Sequence, residues 1–244
     1  MHFHLPKPLH GWREFAGEVG IIVVGVLIAL GAQQVVENWH WRGEVREADR
    51  RMQTEMGEDL VNAYERSAID PCLRPRLGEL RDELLKTDSV WPGSRASFAN
   101  DLYKSGFPSV YRTPARPWPQ GSWLTALNGE VLGHFDPHRA QQFAELFSAV
   151  AALQQTQAEE VSTAATLGDL AFAGPITAAE RRANLKVVAK LDALDARINF
   201  ESELLLKEAR KAGIAPNPGG VREALDQQRS YRGSCVRLPG DKPA

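Results

Sequence analysis

The sequence is poor in cysteine and almost free of net charge. Its 244 residues include two cysteines, Cys72 and Cys235, which excludes a disulfide-dense small scaffold and a four-cysteine zinc site. The 29 basic and 31 acidic residues give a formal net charge of −2, so there is no overall basic excess for nucleic-acid phosphates. The sequence also lacks a phosphate-binding glycine loop, a nucleophile elbow and an HExxH motif. It therefore predicts neither an enzyme nor a cofactor-binding protein.

Apolar residues are concentrated in one N-terminal run. Residues 19–32 are all apolar or glycine, although about 20 residues are needed to span a hydrocarbon core. Aromatic residues flank the run and are typical of interfacial belts: Trp12, Phe15, Trp39 and Trp41. Trp12 and Trp39 are 27 positions apart, or about 40 Å on a helix, which matches a bilayer with its headgroups. We predict a cytoplasmic segment over 1–17 and a transmembrane anchor over 18–38.

A cleaved signal peptide is the alternative to a retained anchor. Ala29-Leu30-Gly31 places small residues at the spacing of a cleavage site. However, Glu18 directly precedes the apolar core, and the chain beyond the run continues with helical periodicity. We therefore favour a retained anchor.

One face of the predicted anchor carries small and polar residues. Glu18, Gly25, Ala29 and Gln33 follow one another at offsets of 7, 4 and 4 and so share a stripe. Gly25 and Ala29 form a pair of small residues that lets another helix approach closely. The stripe predicts a homo-oligomer or a membrane-protein partner. The alternative is the ordinary glycine content of membrane helices, with Glu18 at the headgroups.

Helical periodicity continues beyond the anchor. Apolar residues recur at steps of three and four at Val45, Ala48, Met52, Met56, Leu60 and Ala63. Since no proline interrupts residues 37–69, we predict a stalk helix over 39–69 that ends at Asp70-Pro71. The body then occupies residues 70–244.

The body is predicted to be all-α, an antiparallel helical bundle with a loop rich in proline and aromatic residues over 87–121. Asp136-Pro137 and the capping box Thr177–Glu180 predict the starts of two long helices, and Gly213 predicts the end of the second. Shorter helices are predicted at 73–84, 97–104, 122–132 and 221–229. No alternating β-rich stretch occurs.

The two cysteines indicate on which side of the membrane the body lies. Cys72 and Cys235 fall in predicted non-helical segments, and outside the cytoplasm they would pair. We therefore predict a cytoplasmic N-terminus and a periplasmic body. The alternative is a cytoplasmic domain with two free thiols.

A basic, aromatic segment is the predicted partner or ligand loop. Its candidate residues are Arg95, Tyr103, Arg112, Arg116 and Trp118. Such a loop suits an anionic lipid headgroup, a glycan or a partner strand. The alternative is that it packs across the end of the bundle. A metal site at His134, Asp136 and His138 is not favoured, because Asp136 is a better helix N-cap.

Two stretches resemble a family of bacterial single-pass membrane proteins to which no activity has been assigned. Residues 17–30 read GEVGIIVVGVLIAL and are similar to its Gly-Glu-(apolar)-Gly-Ile-Leu-Ile-Ala-Leu anchor. The polar residues that follow also match: Gln33, Gln34, Glu37, Asn38 and Trp39. Residues 122–132 (SWLTALNGEVL) resemble a second segment but have Asn128 where a serine is expected. The resemblance implies a membrane anchor with a helical extracytoplasmic body, and it supplies no catalytic residues.

These patterns predict a membrane-anchored periplasmic protein that acts as a non-enzymatic interaction or scaffold component of the bacterial envelope. The first alternative is an extracytoplasmic ligand sensor that signals through a membrane partner. The second is an envelope enzyme in which the 87–121 loop forms a lid.

Overall fold

The computed structural model describes residues 11–94 and 109–238, with side chains from residue 15 onward. These ranges contain five α-helices: α1 (Gly11–Lys86), α2 (Gly121–Asn128), α3 (Pro137–Ala165), α4 (Ala178–Lys211) and α5 (Pro218–Arg232). A two-residue strand β1 (Val90–Trp91) pairs antiparallel with β2 (Gly174–Pro175). The all-α prediction is therefore confirmed.

The first helix is much longer than the sequence indicates. The prediction that Asp70-Pro71 ends it is wrong, because α1 runs for 76 residues with Pro71 and Pro75 inside it. An internal proline costs about 3 kcal/mol through a lost hydrogen bond and a clash with the preceding turn. Fully buried side chains lie on both sides of the prolines: Met56, Leu60, Ile69, Leu73, Leu77, Leu80 and Leu84. Since burying one such side chain contributes about 1.5–3 kcal/mol, this packing offsets the cost.

The other long helices pack around α1. Asp49 binds Arg139 near the start of α3, and Arg66 binds Glu160 near its end, so α3 runs parallel to α1. α4 returns antiparallel to α3 and is held to α1 by the pair between Arg66 and Asp195. The apolar N-terminal segment of α1 and the centre of the bundle therefore belong to one continuous helix.

Local signals set the starts of α3 and α4 and the end of α4 as the sequence predicts. Asp136 accepts a hydrogen bond from the Arg139 backbone N–H at 3.0 Å and caps α3. Thr177 and Glu180 form the capping box of α4. At its far end, Gly213 has a φ of +75°, which favours glycine, and two backbone hydrogen bonds close the last turn.

The two cysteines lie at disulfide distance. The Sγ atoms of Cys72 and Cys235 are 2.09 Å apart, across a sequence separation of 163. Beside them, the Arg237 backbone N–H donates to the Ala68 carbonyl at 2.8 Å. The prediction that both cysteines are non-helical is wrong, because Cys72 lies inside α1 and Cys235 ends a short 3-10 helix, Gly233–Cys235. The pair therefore joins the end of the described chain to the central helix.

The described part of the 87–121 segment packs into the bundle. Trp91, Tyr111 and Trp118 are buried, and the Trp91 indole N–H donates to the Leu170 carbonyl at 2.7 Å. The helix predicted at 97–104 lies outside the described residues. These three aromatic side chains thus belong to the core of the body.

Candidate functional site

Of the predicted ligand residues that the structure describes, two line a cleft and one lies in the core. Arg112 and Arg116 line the same cleft. Trp118 is buried, and its indole N–H donates to the Gln157 side chain at 3.2 Å. Arg95 and Tyr103 lie outside the described residues. The structure therefore brings two of the five predicted side chains together.

The cleft lies between residues 112–116 and helix α5 and has a volume of about 250 Å³. We call it the arginine cleft. Its described lining residues are Arg112, Thr113, Pro114, Ala115, Arg116, Gln227, Gln228, Tyr231 and Arg232. Among these described residues there are three arginines and no carboxylate. The lining is thus basic and rich in hydrogen-bond donors.

Arg116 connects the cleft to the central helix. Its Nε and Nη2 atoms donate to the two carboxylate oxygens of Glu65 on α1 at 2.8 and 2.7 Å. The Gln228 side chain donates to the same carboxylate at 2.9 Å, while Gln227 accepts from Arg116 at 2.7 Å. Glu65 is 1% exposed. A bidentate pair with a buried carboxylate fixes the orientation of the guanidinium.

Arg232 forms the other wall of the cleft. Its Nε donates to Gln228 at 2.9 Å, and its Nη2 donates to the Arg112 carbonyl at 2.7 Å. Burial, followed by the charge of nearby Arg66, lowers the pKa of Arg232 to about 10. The guanidinium therefore stays charged at neutral pH.

Thr113 lies in the same wall and is 8% exposed. Its Oγ1 atom is buried and has no hydrogen-bond partner among the described residues. A buried hydroxyl without a partner costs about 1–3 kcal/mol. The wall of the arginine cleft thus contains a hydroxyl that makes no hydrogen bond to the described part of the chain.

A buried ionic cluster lies beneath Tyr111. Arg66 binds Glu160 of α3 and, at 2.8 Å, Asp195 of α4, and its side chain is 5% exposed. The Tyr111 hydroxyl lies 3.5 Å from Glu160. Burial raises the pKa of Asp195 to about 7 even though Arg66 opposes the shift. Since all four side chains are enclosed, a substrate has no access to them, and we assign the cluster a structural role.

Asp59 lies seven residues before Arg66 on α1 and is fully buried. Neither carboxylate oxygen has a hydrogen-bond partner among the described side chains and backbone. Burial, with the charges of Glu55 and Glu58, raises its pKa from 3.8 to about 8. Asp59 is therefore mainly protonated at neutral pH.

The predicted anchor face is exposed to the surroundings. Glu18, Gly25, Ala29 and Gln33 are all exposed, and a side chain added at Gly25 would meet no described atom within 4 Å. Gln33 donates to Glu37 at 2.9 Å. The structure of the single chain therefore leaves this face accessible to another helix.

The predicted interface aromatics lie in different environments. Phe15 and Trp39 are 40% and 75% exposed. Trp41 instead stacks on His134 with ring centroids 3.9 Å apart. The side chain of Trp12 lies outside the described part of the chain.

The HxDxH string does not form a metal site in the described residues. His134 stacks on Trp41, and Asp136 caps α3. No group of three or more His, Cys, Asp or Glu side chains in the described ranges is placed to bind a metal ion. The preference for an N-cap at Asp136 is confirmed.

Sequence reasoning missed much of the cleft. The unrecognised residues are Glu65, Thr113, Gln227, Gln228, Tyr231 and Arg232. The polar residues near the C-terminal end of α5 gave no motif, and only the cysteine pairing indicated that this end of the chain returns to α1.

Comparison with known proteins finds no family model, no curated protein and no solved structure that matches the chain. The family resemblance of residues 17–30 therefore stays a prediction.

The pKa of Asp59 predicts how stability depends on pH. Because its folded-state pKa of about 8 lies above the ordinary value of 3.8, the unfolded chain loses this proton first as the pH rises. The contribution of Asp59 to the free energy of unfolding therefore falls as the pH rises from about 4 to about 8. Asp59→Asn should flatten this slope and stabilise the fold by about 4 kcal/mol at pH 7.

The measurement is urea denaturation at pH 5, 7 and 8, with the full chain in neutral detergent. Glu203→Gln is the matched control because Glu203 is exposed on α4. A pH slope that is the same in wild type and Asp59→Asn would show that the Asp59 carboxyl is not kept protonated by burial.

Proposed function

We propose that this protein is a single-pass membrane protein whose helical body lies outside the cytoplasm and acts as a non-enzymatic interaction component. The observation that carries the proposal is the N-terminal part of α1. Every residue from 15 to 40 is exposed in the folded chain, although the stretch includes the apolar run. Among the described residues, α1 is the one helix long and apolar enough to cross a membrane.

Exposure of this stretch supports an anchor. Soluble monomers seldom expose apolar patches beyond about 300–600 Å². Exposed large side chains recur along this run: Ile21, Ile22, Val24, Val26, Leu27, Ile28 and Leu30 are each at least half exposed. A lipid bilayer would cover such a surface and remove it from water, which the hydrophobic effect favours. Because the helix continues without a break into the body, its position in the membrane would also fix the orientation of the body.

The cysteine pair supports a location outside the cytoplasm. Disulfides persist in oxidising compartments and are rare in the cytosol. Cys72 and Cys235 close a loop of more than half the chain, and such a long closure stabilises a fold by about 4–5 kcal/mol in the chain-entropy description. An N-terminus in the cytoplasm is the orientation that agrees with this pair.

The arginine cleft favours a second candidate, an extracytoplasmic ligand sensor. Arg116 and Gln228 both bind Glu65, a residue of the helix that also contains the anchor segment. A ligand in the cleft would therefore act directly on α1. Signalling would then pass to a membrane partner on the exposed stripe of Gly25 and Ala29 on the same helix.

Cell fractionation combined with non-reducing electrophoresis tests the location. The full chain should stay with membranes after an alkaline carbonate wash and should be cleaved by protease added to spheroplasts. Its mobility should change on reduction, and Cys72→Ser should remove that change. The double variant Val24→Arg/Leu27→Arg should release the protein from membranes. Inserting each charged side chain at mid-bilayer costs about 2.5–3.5 kcal/mol on the insertion scale.

As a control, Val45→Arg lies beyond the apolar run and should leave the chain in the membrane fraction. A soluble full-length chain, or one protected from protease in spheroplasts, would contradict the proposed location.

In vivo cross-linking tests the interaction role. Replacing Gly25 and Ala29 by leucine should reduce cross-linked complexes several-fold, because larger side chains keep a second helix from approaching. Gly31→Leu adds the same bulk outside this stripe and should have little effect. Cross-links that persist unchanged in the Gly25→Leu/Ala29→Leu variant would exclude this face as the contact.

A further inference from the structure

We infer that residues 121–134 form a second membrane contact, which lies on the headgroup layer of the bilayer that holds the anchor. This 121–134 segment consists of α2 and the following 3-10 turn, Val131–His134. The inference rests on the proposed function, because it needs the apolar part of α1 to lie in that bilayer. It adds a surface of the body to the membrane contact made by the anchor.

The 121–134 segment runs along α1 towards the apolar run. Near its start, the Ser122 backbone N–H donates to the Glu55 side chain at 2.9 Å. At its end, the His134 ring stacks on Trp41 with ring centroids 3.9 Å apart. Glu55 and Trp41 are 14 positions apart, so the segment follows α1 for about 21 Å. The 3-10 turn is therefore the end of the segment nearest the apolar run.

The position of Trp41 on α1 gives the depth of this turn. Trp41 lies three positions, or about 5 Å, beyond Asn38, where the predicted anchor ends. A bilayer of about 40–45 Å contains a hydrocarbon core of about 30 Å, so each headgroup region is about 5–8 Å thick. Trp41 and the stacked His134 would thus lie in this region without any rearrangement of the body. Tryptophan rings are enriched at that depth.

The composition of the segment suits the membrane surface. Leu124 and Leu127 lie one turn apart on α2 and are 49% and 54% exposed. The 121–134 segment contains no lysine or arginine and one carboxylate, that of Glu130. Binding of a segment to a membrane surface increases with its buried apolar area and with its attraction to anionic lipids. Since the segment has no basic side chain, we expect the contact to be apolar and independent of anionic lipids.

An equally exposed apolar side chain lies at the other end of the body. Phe172 is 55% exposed and follows the C-terminal end of α3. Near that end, Glu160 binds Arg66, which lies 28 positions, or about 42 Å, beyond Asn38. Phe172 therefore matches Leu127 in exposure but lies much further from the apolar run.

The contact would determine how the body is oriented on the membrane. Transmembrane helices tilt by about 20° on average, and residues at the interface help to set the tilt. The 121–134 segment packs on one side of α1, so its binding to the headgroups would incline α1 towards that side. This tilt would bring Leu127 closer to the headgroup layer.

The test is fluorescence quenching in phosphatidylcholine vesicles that contain a lipid with a nitroxide on its headgroup. The full chain carries an environment-sensitive fluorophore on one introduced cysteine, and reductant is left out so that Cys72 and Cys235 stay paired. Gly133→Cys is the main site, because a side chain added at Gly133 would meet no described atom within 4 Å. This label should lose most of its fluorescence, and a Leu127→Cys label should lose less. Phe172→Cys is the control and should keep its fluorescence.

A label in the apolar run separates this inference from the proposed function. Leu27→Cys should be quenched by a nitroxide placed deep in the acyl chains. If Leu27→Cys is quenched and Gly133→Cys behaves like Phe172→Cys, the second contact is overturned and the proposed anchor stands. An unquenched Leu27→Cys label would contradict the anchor and, with it, this inference. If Gly133→Cys does not fold, Glu130→Cys takes its place, because Glu130 is exposed directly before the 3-10 turn.

Three further outcomes would also contradict the inference. Quenching at Gly133 that appears only after phosphatidylglycerol is added would overturn the apolar nature of the contact. A Leu127→Cys label no more quenched than the Phe172→Cys label would exclude α2 from it. Shielding of the Gly133 label from aqueous iodide that increases with the protein-to-lipid ratio, without quenching by the nitroxide lipid, would assign this surface to a second copy of the chain.

Discussion

The packing of the body depends on the ion pairs of the buried Arg66 guanidinium. It joins the central helix to Glu160 of α3 and Asp195 of α4, and all three side chains are at most 5% exposed. Burial in this enclosed space raises the pKa of Asp195 to about 7, although the charge of Arg66 opposes the shift. Such a cluster forms in one register of the three helices only, since a slip would leave buried charges unpaired.

The arrangement of the three helices determines where the cleft can form. Glu65 is next to Arg66 on α1 and binds Arg116 and Gln228, so the same turn of helix connects the core to the cleft. The bond between Cys72 and Cys235 holds the chain after α5 two turns further along α1. The exposed apolar segment lies N-terminal to this turn on the same helix, α1.

Local signals in the sequence were sufficient for the starts of α3 and α4. Asp136 and Thr177 act on backbone groups within three residues, so their caps could be predicted without knowledge of the fold. The prediction that the helix ends at Pro71 failed because the free-energy cost of a proline depends on its own turn of helix. The burial of Leu73 and Leu77, which compensates for that cost, depends on residues far away in the sequence. The partners of Arg66 lie 94 and 129 residues away, and no periodicity identifies them.

Arg66→Met provides the most direct measurement of this dependence, by urea denaturation of the full chain in neutral detergent at pH 7. The single variant strands Glu160 and Asp195 in the core and should lose about 3–5 kcal/mol. Adding Glu160→Met and Asp195→Leu removes the stranded charges and should recover most of the loss. A single variant within 1 kcal/mol of wild type, roughly the size of an exposed pair, or a triple variant no more stable than the single one, would contradict the central role of Arg66.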